Sequence, residues 1–241
     1  TVRFWDLRYF TDPRTLRSSG ACQLPQPDLV ALNGKAAVDA FVDSGYPRES
    51  IVECEALRYL HLNETPGAIG PARAKGSATR VLILGDAEPT STTNMLRLLE
   101  IAAPSVSSPA AYTVKPHPGV AVRAADYPSL RLTIISNHLR ELMPDFDIAY
   151  SANPTSAAVD AYLAGLPVIV MLDRTELNYS PLRGRDGVKF VSTPEMLASA
   201  LESPGERARG STDRMEFFFL ERELPRWKKL LSKKLSRMSK A

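Results

Sequence analysis

Short, continuous apolar segments alternate with helix-forming segments from residue 80 onwards, and this alternation constrains the fold more than any other feature of the chain. Strands that are apolar on both faces belong to parallel sheets covered by helices, because neither face meets water. The pattern predicts an α/β fold, a Rossmann-like parallel sheet with helices on both faces. Strands are expected at 81–84, 111–114, 130–135, 147–150, 167–172 and 188–191, and helices at 93–103, 137–143, 154–164 and 194–201.

Composition divides the chain into regions. The segment before the alternating pattern is mixed α/β, with a strand expected at 28–32 and a helix at 35–44. Prolines and glycines without bulky apolar residues then indicate a linker. Because the chain starts at Thr1 without a signal-peptide layout, we expect it to be the interior of a longer protein. The predicted regions are a truncated amino-terminal domain (1–64), a linker (65–79), the Rossmann-like domain (80–205) and a helical extension with a basic tail (206–241).

Bulk properties exclude several classes of protein. Of the 241 residues 44% are hydrophobic and 24% are charged, which is typical of a globular protein rather than a disordered one. No apolar run approaches the roughly 18 residues that a membrane-spanning helix needs. Cys22 and Cys54 match no metal-binding spacing, so we expect both to be reduced and buried, as in cytoplasm.

The carboxyl-terminal tail is strongly basic. From Arg226 to Ala241 it carries seven basic residues and no acidic one, whereas the rest of the chain has an acidic excess. A helix after Pro225 would place Trp227, Leu230 and further apolar residues on one face, with lysines opposite. Such a helix fits either the surface of an anionic membrane or a helix packed on the domain with its basic side in water. Without interleaved aromatic residues, nucleic-acid binding is not expected.

The loop after the first strand of the Rossmann-like domain contains two carboxylates. Asp86 and Glu88 follow Gly85 and precede a run of hydroxyl residues. Because parallel strands bind ligands at their carboxyl ends, this loop is a candidate ligand-facing segment. Helix capping with solvated acids is the alternative interpretation. The glycines of a dinucleotide fingerprint are missing, which argues against a nicotinamide enzyme.

The loop after the second strand holds a histidine between two prolines. Prolines fix the backbone around His117, and Lys115 adds a positive charge two residues earlier. Together these side chains could hold a phosphate, or stabilise one as it leaves. A lone histidine is more often structural, but the position at a strand end favours a function.

The loop after the fourth strand reads as the start of a helix. Asn153 suits the cap and Pro154 the first helical position. The unpaired N–H groups of that helix, with the hydroxyls of Thr155 and Ser156, form a site for an anion. Asp160 on the same helix could accept hydrogen bonds from ribose hydroxyls, or be a solvent-facing acid.

The order of these motifs resembles the carboxyl-terminal, donor-binding domain of GT-B glycosyltransferases. Lys115–Pro118, Ser151–Ser156 and the following 161–170 segment are most similar to the surface carbohydrate biosynthesis group, which is related to bacterial sialyl- and polysialyltransferases and to glycerophosphotransferases that use CDP-glycerol. The resemblance implies that the donor phosphate is bound by His117, Pro118, Ser151, Thr155 and Ser156, next to the Lys115 charge, and the donor ribose by Asp160. Catalytic roles would then fall to His117, Asp86 and Glu88. The acidic motif lacks its usual glycine, so the catalytic base could lie outside this chain.

The resemblance also implies the reaction and its setting. A sugar would pass from a nucleotide donor, CMP-linked by preference, to a glycan or lipid-linked acceptor of a bacterial surface polysaccharide. Neither a metal nor another cofactor is expected, because cationic side chains and the helix start can stabilise the leaving phosphate. The expected location is cytoplasmic, with peripheral contact to the inner membrane face through 226–241. A GT-B-fold sugar-nucleotide epimerase and a non-catalytic, membrane-docked assembly protein remain alternatives.

Overall fold

The computed structural model describes residues 27–63, 77–153, 155–175, 177–178, 180–205 and 216–238. These residues fall into two compact units: 77–205 form the larger one, and 27–63 with 216–238 form the smaller one. The carboxyl-terminal segment therefore belongs to the same unit as the amino-terminal segment, although the whole larger unit lies between them in sequence.

The smaller unit begins with a β–α–β arrangement. Strand β1 (Val30–Leu32) pairs in parallel with β2 (Ile51–Glu53), and helix α1 (Lys35–Asp43) connects them. Gly45 follows the helix with φ 88°, a conformation that glycine adopts without a steric penalty. The apolar face of α1 packs on both strands in a core of Leu32, Ala37, Val38, Phe41, Tyr46 and Ile51.

Six parallel strands form the sheet of the larger unit. Their order across the sheet is 3-2-1-4-5-6 when they are counted from the first strand of this unit, which is the order of Rossmann-type sheets. The strands are β3 (Thr79–Leu84), β4 (Ala110–Lys115), β5 (Leu132–Ile134), β6 (Ile148–Ala152), β7 (Val168–Met171) and β8 (Val188–Val191).

Helices cover both faces of this sheet. Helices α2 and α5 pack together over Val81, Ile83 and Tyr150, whereas the buried face of α4 lies outside that core. Successive strand residues point to opposite faces, so α4 covers the face of Leu82 and Ala149. The predicted fold class is therefore confirmed. The helices are α2 (Pro89–Ala102), α3 (Leu139–Leu142), α4 (Ser156–Leu163) and α5 (Pro194–Glu202).

The two opposite crossovers create a switch point between β3 and β6. The chain leaves β3 through α2 towards β4, and leaves β6 through α4 in the other direction towards β7. Because both crossovers are right-handed, the two helices lie on opposite faces of the sheet and their starts flank a crevice. Sheets of this kind bind ligands at that crevice, beyond the carboxyl ends of the strands.

Two predicted helix starts are wrong. Helix α2 begins at Pro89 rather than at residue 93, because proline is pre-set for the first helical position and Thr92 bonds back to the turn at Asp86. Helix α4 begins at Ser156, with Thr155 rather than Asn153 as its cap. Pro154, the predicted first helical residue, lies outside the described residues.

The segment before the last helix packs into the smaller unit. The N–H of Phe219 donates to the carbonyl of Asn33 at 2.8 Å, and the N–H of Ala56 donates to the carbonyl of Phe219 at 2.8 Å. Helix α6 (Pro225–Met238) follows, as the sequence predicts. Its first turn is tied to the buried carboxylate of Glu55. At least this turn is packed on protein, as the second interpretation of the tail expects.

Other predictions concern cysteines and membranes. Cys54 is a free thiol, 1% exposed, and burial raises its pKa. It is therefore buried as predicted, whereas Cys22 lies outside the described residues. The described helices include none that combines the length and apolar character needed to cross a membrane.

Candidate functional site

Three neighbouring strands of the larger unit end within one residue of the same level. Leu84 closes β3 and pairs with Lys115 at the end of β4 and with Ser151 in β6. Paired residues of parallel strands point to the same face, so Lys115 and Ser151 lie on the α4 face, on either side of β3. Adjacent strands lie about 4.8 Å apart, which separates the two Cα atoms by about 10 Å. The two side chains therefore flank the end of β3 on one face of the sheet.

Gly85 brings the first two strand-end loops into direct contact. Its N–H donates to the carbonyl of Lys115 at 2.9 Å. A side chain at this position would begin 3.0 Å from the backbone nitrogen of His117 and 3.1 Å from the Cα of Pro116. Only glycine leaves room for this approach, so the predicted histidine loop is held against the end of β3.

His117 is exposed, and one of its ring nitrogens is engaged. The N–H of Gly119 donates to Nδ1 at 3.2 Å, and the histidine carbonyl accepts from Val120 at 2.9 Å in the same tight turn. Because Nδ1 acts as an acceptor, the neutral ring carries its proton on Nε2. The turn therefore presents an Nε2–H donor, which suits an anionic oxygen, while Lys115 is half-buried and Pro118 is exposed.

The start of α4 follows directly on β6. The hydroxyl of Thr155 accepts from the N–H of Ala157 at 3.4 Å, which makes Thr155 the cap. Ser156 is the first helical residue, and both side chains are half-buried. The first N–H groups of a helix have no partner within it and carry partial positive charge. This helix start thus has the character of an anion site.

Two buried polar atoms at the end of β6 lack a hydrogen-bond partner among the described residues. Ser151 is 0% exposed and Asn153 3%, and the unpartnered atoms are the Ser151 hydroxyl oxygen and Asn153 Oδ1. An unsatisfied buried polar atom costs about 1–3 kcal/mol, so proteins rarely retain two in one turn without a use for them. Both atoms lie beside the switch point, in the turn that leads into α4.

Asp86 has a structural partner of its own. Its carboxylate accepts from the N–H of Glu88 at 2.8 Å, and its own N–H donates to the hydroxyl of Thr92 at 2.9 Å. The residue is 8% exposed, so this carboxylate closes the turn into α2. Glu88 caps α2 through its backbone position and its side chain is exposed. Of the two acids predicted to be catalytic, only Glu88 faces solvent.

Asp160 lies in the second turn of α4 and is half-buried. The predicted residues thus form two groups around β3: Lys115, His117 and Pro118 on one side, and Ser151, Thr155 and Ser156 on the other. The strand register brings these groups to the same edge of the sheet. The sequence interpretation missed Asn153 as a ligand candidate and treated it as a cap. An asparagine directly after a fully buried strand was the signal available.

A second pair of carboxylates has the spacing of many metal sites but lies elsewhere. Asp145 and Asp147 precede β6, at the opposite edge of the sheet, and Asp147 accepts from the backbone N–H of Arg80 at 2.9 Å. The Arg80 guanidinium is 3.9 Å from Asp145 and 3.8 Å from Asp147. Among the described residues, no group of three or more histidine, cysteine or acidic side chains is arranged to hold a metal.

A groove of about 710 Å³ opens in the smaller unit. Most of its charged lining is paired within the protein: Lys35 with Asp39, Arg48 with Glu53 at 2.7 Å, and Arg226 with Glu53 at 4.0 Å. A charged ligand could bind here only by displacing these ion pairs, so the groove is a weak candidate for a binding site.

No protein-family model matches the chain, and no curated protein does either. Solved structures do share its fold. The co-structure of MnaA with UDP from S. aureus is 11% identical with a TM-score of 0.50, and the match covers 76% of this chain and 56% of that one. Such identity is evidence for the fold alone.

Two further solved structures match more loosely. Alr3699/HepE of Anabaena in complex with UDP and glucose is 14% identical, with a TM-score of 0.43 and coverage of 73% of this chain and 53% of that one. A variant of S. aureus TarM in complex with Fondaparinux, alpha-GlcNAc-glycerol and UDP is 11% identical, with a TM-score of 0.46 and coverage of 79% and 38%. This chain spans about half the length of MnaA and of HepE.

Proposed function

We propose that the larger unit is the donor-nucleotide site of a glycosyltransferase that builds a bacterial surface polysaccharide. The observation that carries the proposal is the unpartnered hydroxyl of Ser151, buried at the switch point next to the start of α4. A hydroxyl can donate to a phosphate oxygen, and the helix start adds N–H donors and partial positive charge. The fold neighbour MnaA holds UDP, a ligand of the same class.

The proposed chemistry follows from where negative charge develops. When the bond between sugar and phosphate breaks, the departing nucleotide gains negative charge. Lys115 and the Nε2–H of His117 would stabilise that charge from the β4 side of β3, and Ser151 with the start of α4 from the other side. Donors fixed before the reaction need no reorganisation in the transition state, which is why such sites lower barriers. A metal is not required by this scheme.

Two nucleotides are candidates for the donor. The family resemblance favours a CMP-linked sugar, whereas UDP is the nucleotide in the MnaA structure that shares the fold. A nucleoside diphosphate has a second phosphate that can span the roughly 10 Å between Lys115 and Ser151. On this ground we propose a UDP-linked donor ahead of a CMP-linked one.

An acidic side chain near the crevice would activate the acceptor. Glu88 is exposed at the start of α2, next to the same crevice, and is our candidate within this chain. Asp86 is committed to the turn and would act by positioning that loop. The acceptor, a glycan or a lipid-linked sugar, would approach from the exposed side of Glu88.

Calorimetric titration of UDP, CMP, GDP and CDP-glycerol into the purified chain tests the donor site. We expect binding of one nucleotide, weakened at least tenfold by Lys115→Ala and by His117→Ala, because charge-assisted hydrogen bonds are worth about 1.5–3 kcal/mol each. Lys189→Ala is the matched control: it is a half-buried lysine on β8, at the edge of the sheet.

The titration, together with a turnover assay on UDP-GlcNAc, separates the alternatives. Turnover of UDP-GlcNAc without any acceptor would favour an epimerase. Failure of all four nucleotides to bind would overturn the donor site and favour a non-catalytic assembly protein. Equal loss of affinity in Lys189→Ala and Lys115→Ala would show that the effect is general charge rather than a site.

The basic helix suggests where the enzyme works. We propose that α6 contacts the anionic inner face of the cell membrane: Lys228 and Lys229 are exposed, Leu231 is 54% exposed, and residues 226–241 contain no acid. Each basic residue near such a surface contributes about 1 kcal/mol. Sedimentation with phosphatidylserine vesicles, but not with phosphatidylcholine vesicles, is expected at low salt. Binding that is unchanged by Lys228→Glu with Lys229→Glu would contradict it.

A further inference from the structure

We infer that Asn153 accepts a hydrogen bond from a ribose hydroxyl of the bound nucleotide. The inference rests on the proposed donor site and deepens it, because it assigns the sugar of the nucleoside to a residue not expected to bind it. It starts from the unpartnered Oδ1 of this buried side chain.

The orientation of the Asn153 amide is fixed by its other end. Nδ2 donates to the carbonyl of Leu177 at 2.8 Å. An amide nitrogen is a donor and the amide oxygen is only an acceptor, so this bond decides which atom is turned away from Leu177. The side chain thereby ties the loop after β6 to the loop after β7, and Oδ1 is left as an acceptor at the carboxyl edge of the sheet.

An acceptor cannot bind a phosphate oxygen, because both atoms would offer only lone pairs. The group that satisfies Oδ1 must carry an O–H or N–H. Asn153 lies two residues before Thr155, at most about 7 Å along the chain from the cap of the proposed phosphate site. In a nucleotide, the ribose carries hydroxyl groups and is attached directly to the phosphate. A ribose hydroxyl is therefore the donor nearest to the proposed phosphate site.

Asp160 is the residue that the sequence resemblance assigns to the ribose. It lies four residues beyond Ser156, about 6 Å along the axis of α4 and away from the helix start. Asn153 precedes the helix start instead, on the side of the crevice. The two assignments predict different effects of substitution, so one experiment separates them.

The first arm needs no variant of the protein. Binding of UDP and CMP to the full chain is compared with binding of their 2′-deoxy and 3′-deoxy analogues by calorimetry. Loss of a hydroxyl that satisfies a buried acceptor should weaken binding about 5- to 20-fold for one of the two positions. Equal affinities for the parent nucleotide and both analogues would overturn the inference while leaving the donor site intact.

The second arm asks whether Asn153 is the acceptor. In Asn153→Ala, the affinity ratio between nucleotide and deoxy analogue should fall to about one. Once the acceptor is gone, the ribose hydroxyl has no partner, so removing it as well changes nothing. Asn178→Ala is the control: Oδ1 of Asn178 accepts from the backbone N–H of Ser180 at 3.1 Å, so it already has a partner and the ratio should stay at the wild-type value. A ratio that persists in Asn153→Ala and disappears in Asp160→Ala assigns the ribose to Asp160 and overturns the inference. No nucleotide binding at all overturns both proposals.

Discussion

Glu55 and Trp227 are joined at two points. The backbone N–H of Trp227 donates to the Glu55 carboxylate at 3.1 Å, and its indole Nε1–H donates to the Glu55 carbonyl at 2.9 Å. The N–H of Arg226 adds a bond of 2.9 Å to the same carboxylate, whose side chain is fully buried. A carboxylate far away in sequence thus caps the first turn of α6, where the helix is short of acceptors.

Removing this cap should destabilise the smaller unit. Glu55→Ala removes the acceptor of two half-buried N–H groups and one carboxylate partner of the Arg226 guanidinium, which keeps its ion pair with Glu221. We expect a loss of about 3 kcal/mol in the free energy of unfolding. Urea unfolding, followed by Trp227 fluorescence in a Trp5→Phe background, measures it. Glu223→Ala, which removes an acid that is 93% exposed, is the control and should change stability by less than about 0.5 kcal/mol. Equal effects would refute the cap.

The same carboxylate should make stability depend on pH. Burial alone would raise the pKa of Glu55, but hydrogen bonds from Arg226 and Trp227 outweigh it and lower the pKa below the ordinary value. The unfolded chain therefore takes up the proton first, so the stabilisation is complete above about pH 5 and is lost as the pH falls through the folded pKa. Unfolding curves between pH 7 and pH 3 should show a shallower acid loss in Glu55→Gln than in wild type; parallel curves would contradict this.

Gly34 should tolerate no side chain. A Cβ there would lie 1.7 Å from the carbonyl oxygen of Phe217 and 2.4 Å from its carbon, both backbone atoms that cannot rotate away. Gly34→Ala should therefore displace the 217–220 segment and cost about 3 kcal/mol or more. Gly184→Ala is the comparison: it meets nothing within 4 Å, and its φ of 69° costs only about 1–2 kcal/mol. Similar losses of stability in the two variants would argue against the described packing.

Ser151 should show a trade between stability and binding. If the Ser151 hydroxyl is satisfied only by a bound phosphate, Ser151→Ala removes an unsatisfied buried group from the ligand-free protein. That protein should then become up to about 1–2 kcal/mol more stable, while its nucleotide affinity falls. Ser180→Ala provides the contrast, because that buried hydroxyl accepts from Leu182 at 3.2 Å and its loss should destabilise by about 1 kcal/mol. Thermal unfolding and calorimetry measure both quantities. A destabilised Ser151→Ala would indicate a structural hydroxyl.

Gly85 should matter for the site more than for the fold. Gly85→Ala forces its methyl group against the backbone of residues 115–117 at 3.0–3.2 Å, so that loop must shift by a few tenths of an ångström. A shift of the His117 donor weakens a hydrogen bond to a bound anion, and nucleotide affinity should fall about tenfold. Gly119→Ala meets the His117 ring at an ordinary 3.6 Å and should bind within about threefold of wild type. Unchanged affinity in Gly85→Ala would show that the loop does not bind the nucleotide.

The sequence by itself determined the architecture of the larger unit. Its apolar strands and amphipathic helices alternate, and the short apolar runs can be buried on both faces only in a parallel sheet. The predicted start positions of α2 and α4 were wrong for a local reason. Hydroxyl residues are common both in loops and in first helical turns, so composition could not show whether Thr92 and Thr155 lie in a helix or before it. Lys115 and His117 are candidates because such sheets bind ligands at the ends of their strands, whereas Ser151 is a candidate through the family resemblance.

Only the tertiary structure decided which side chains already have partners. Asp86 and Asn153 look alike in sequence, as polar residues just beyond a buried strand, yet one carboxylate is satisfied by its own turn and one amide oxygen is not. Likewise nothing near Glu55 in sequence reveals that it caps a helix beginning at residue 225. Such hydrogen bonds join segments that are distant in sequence, so they depend on the tertiary fold. The periodicity of apolar residues predicts local secondary structure only and does not reveal these contacts.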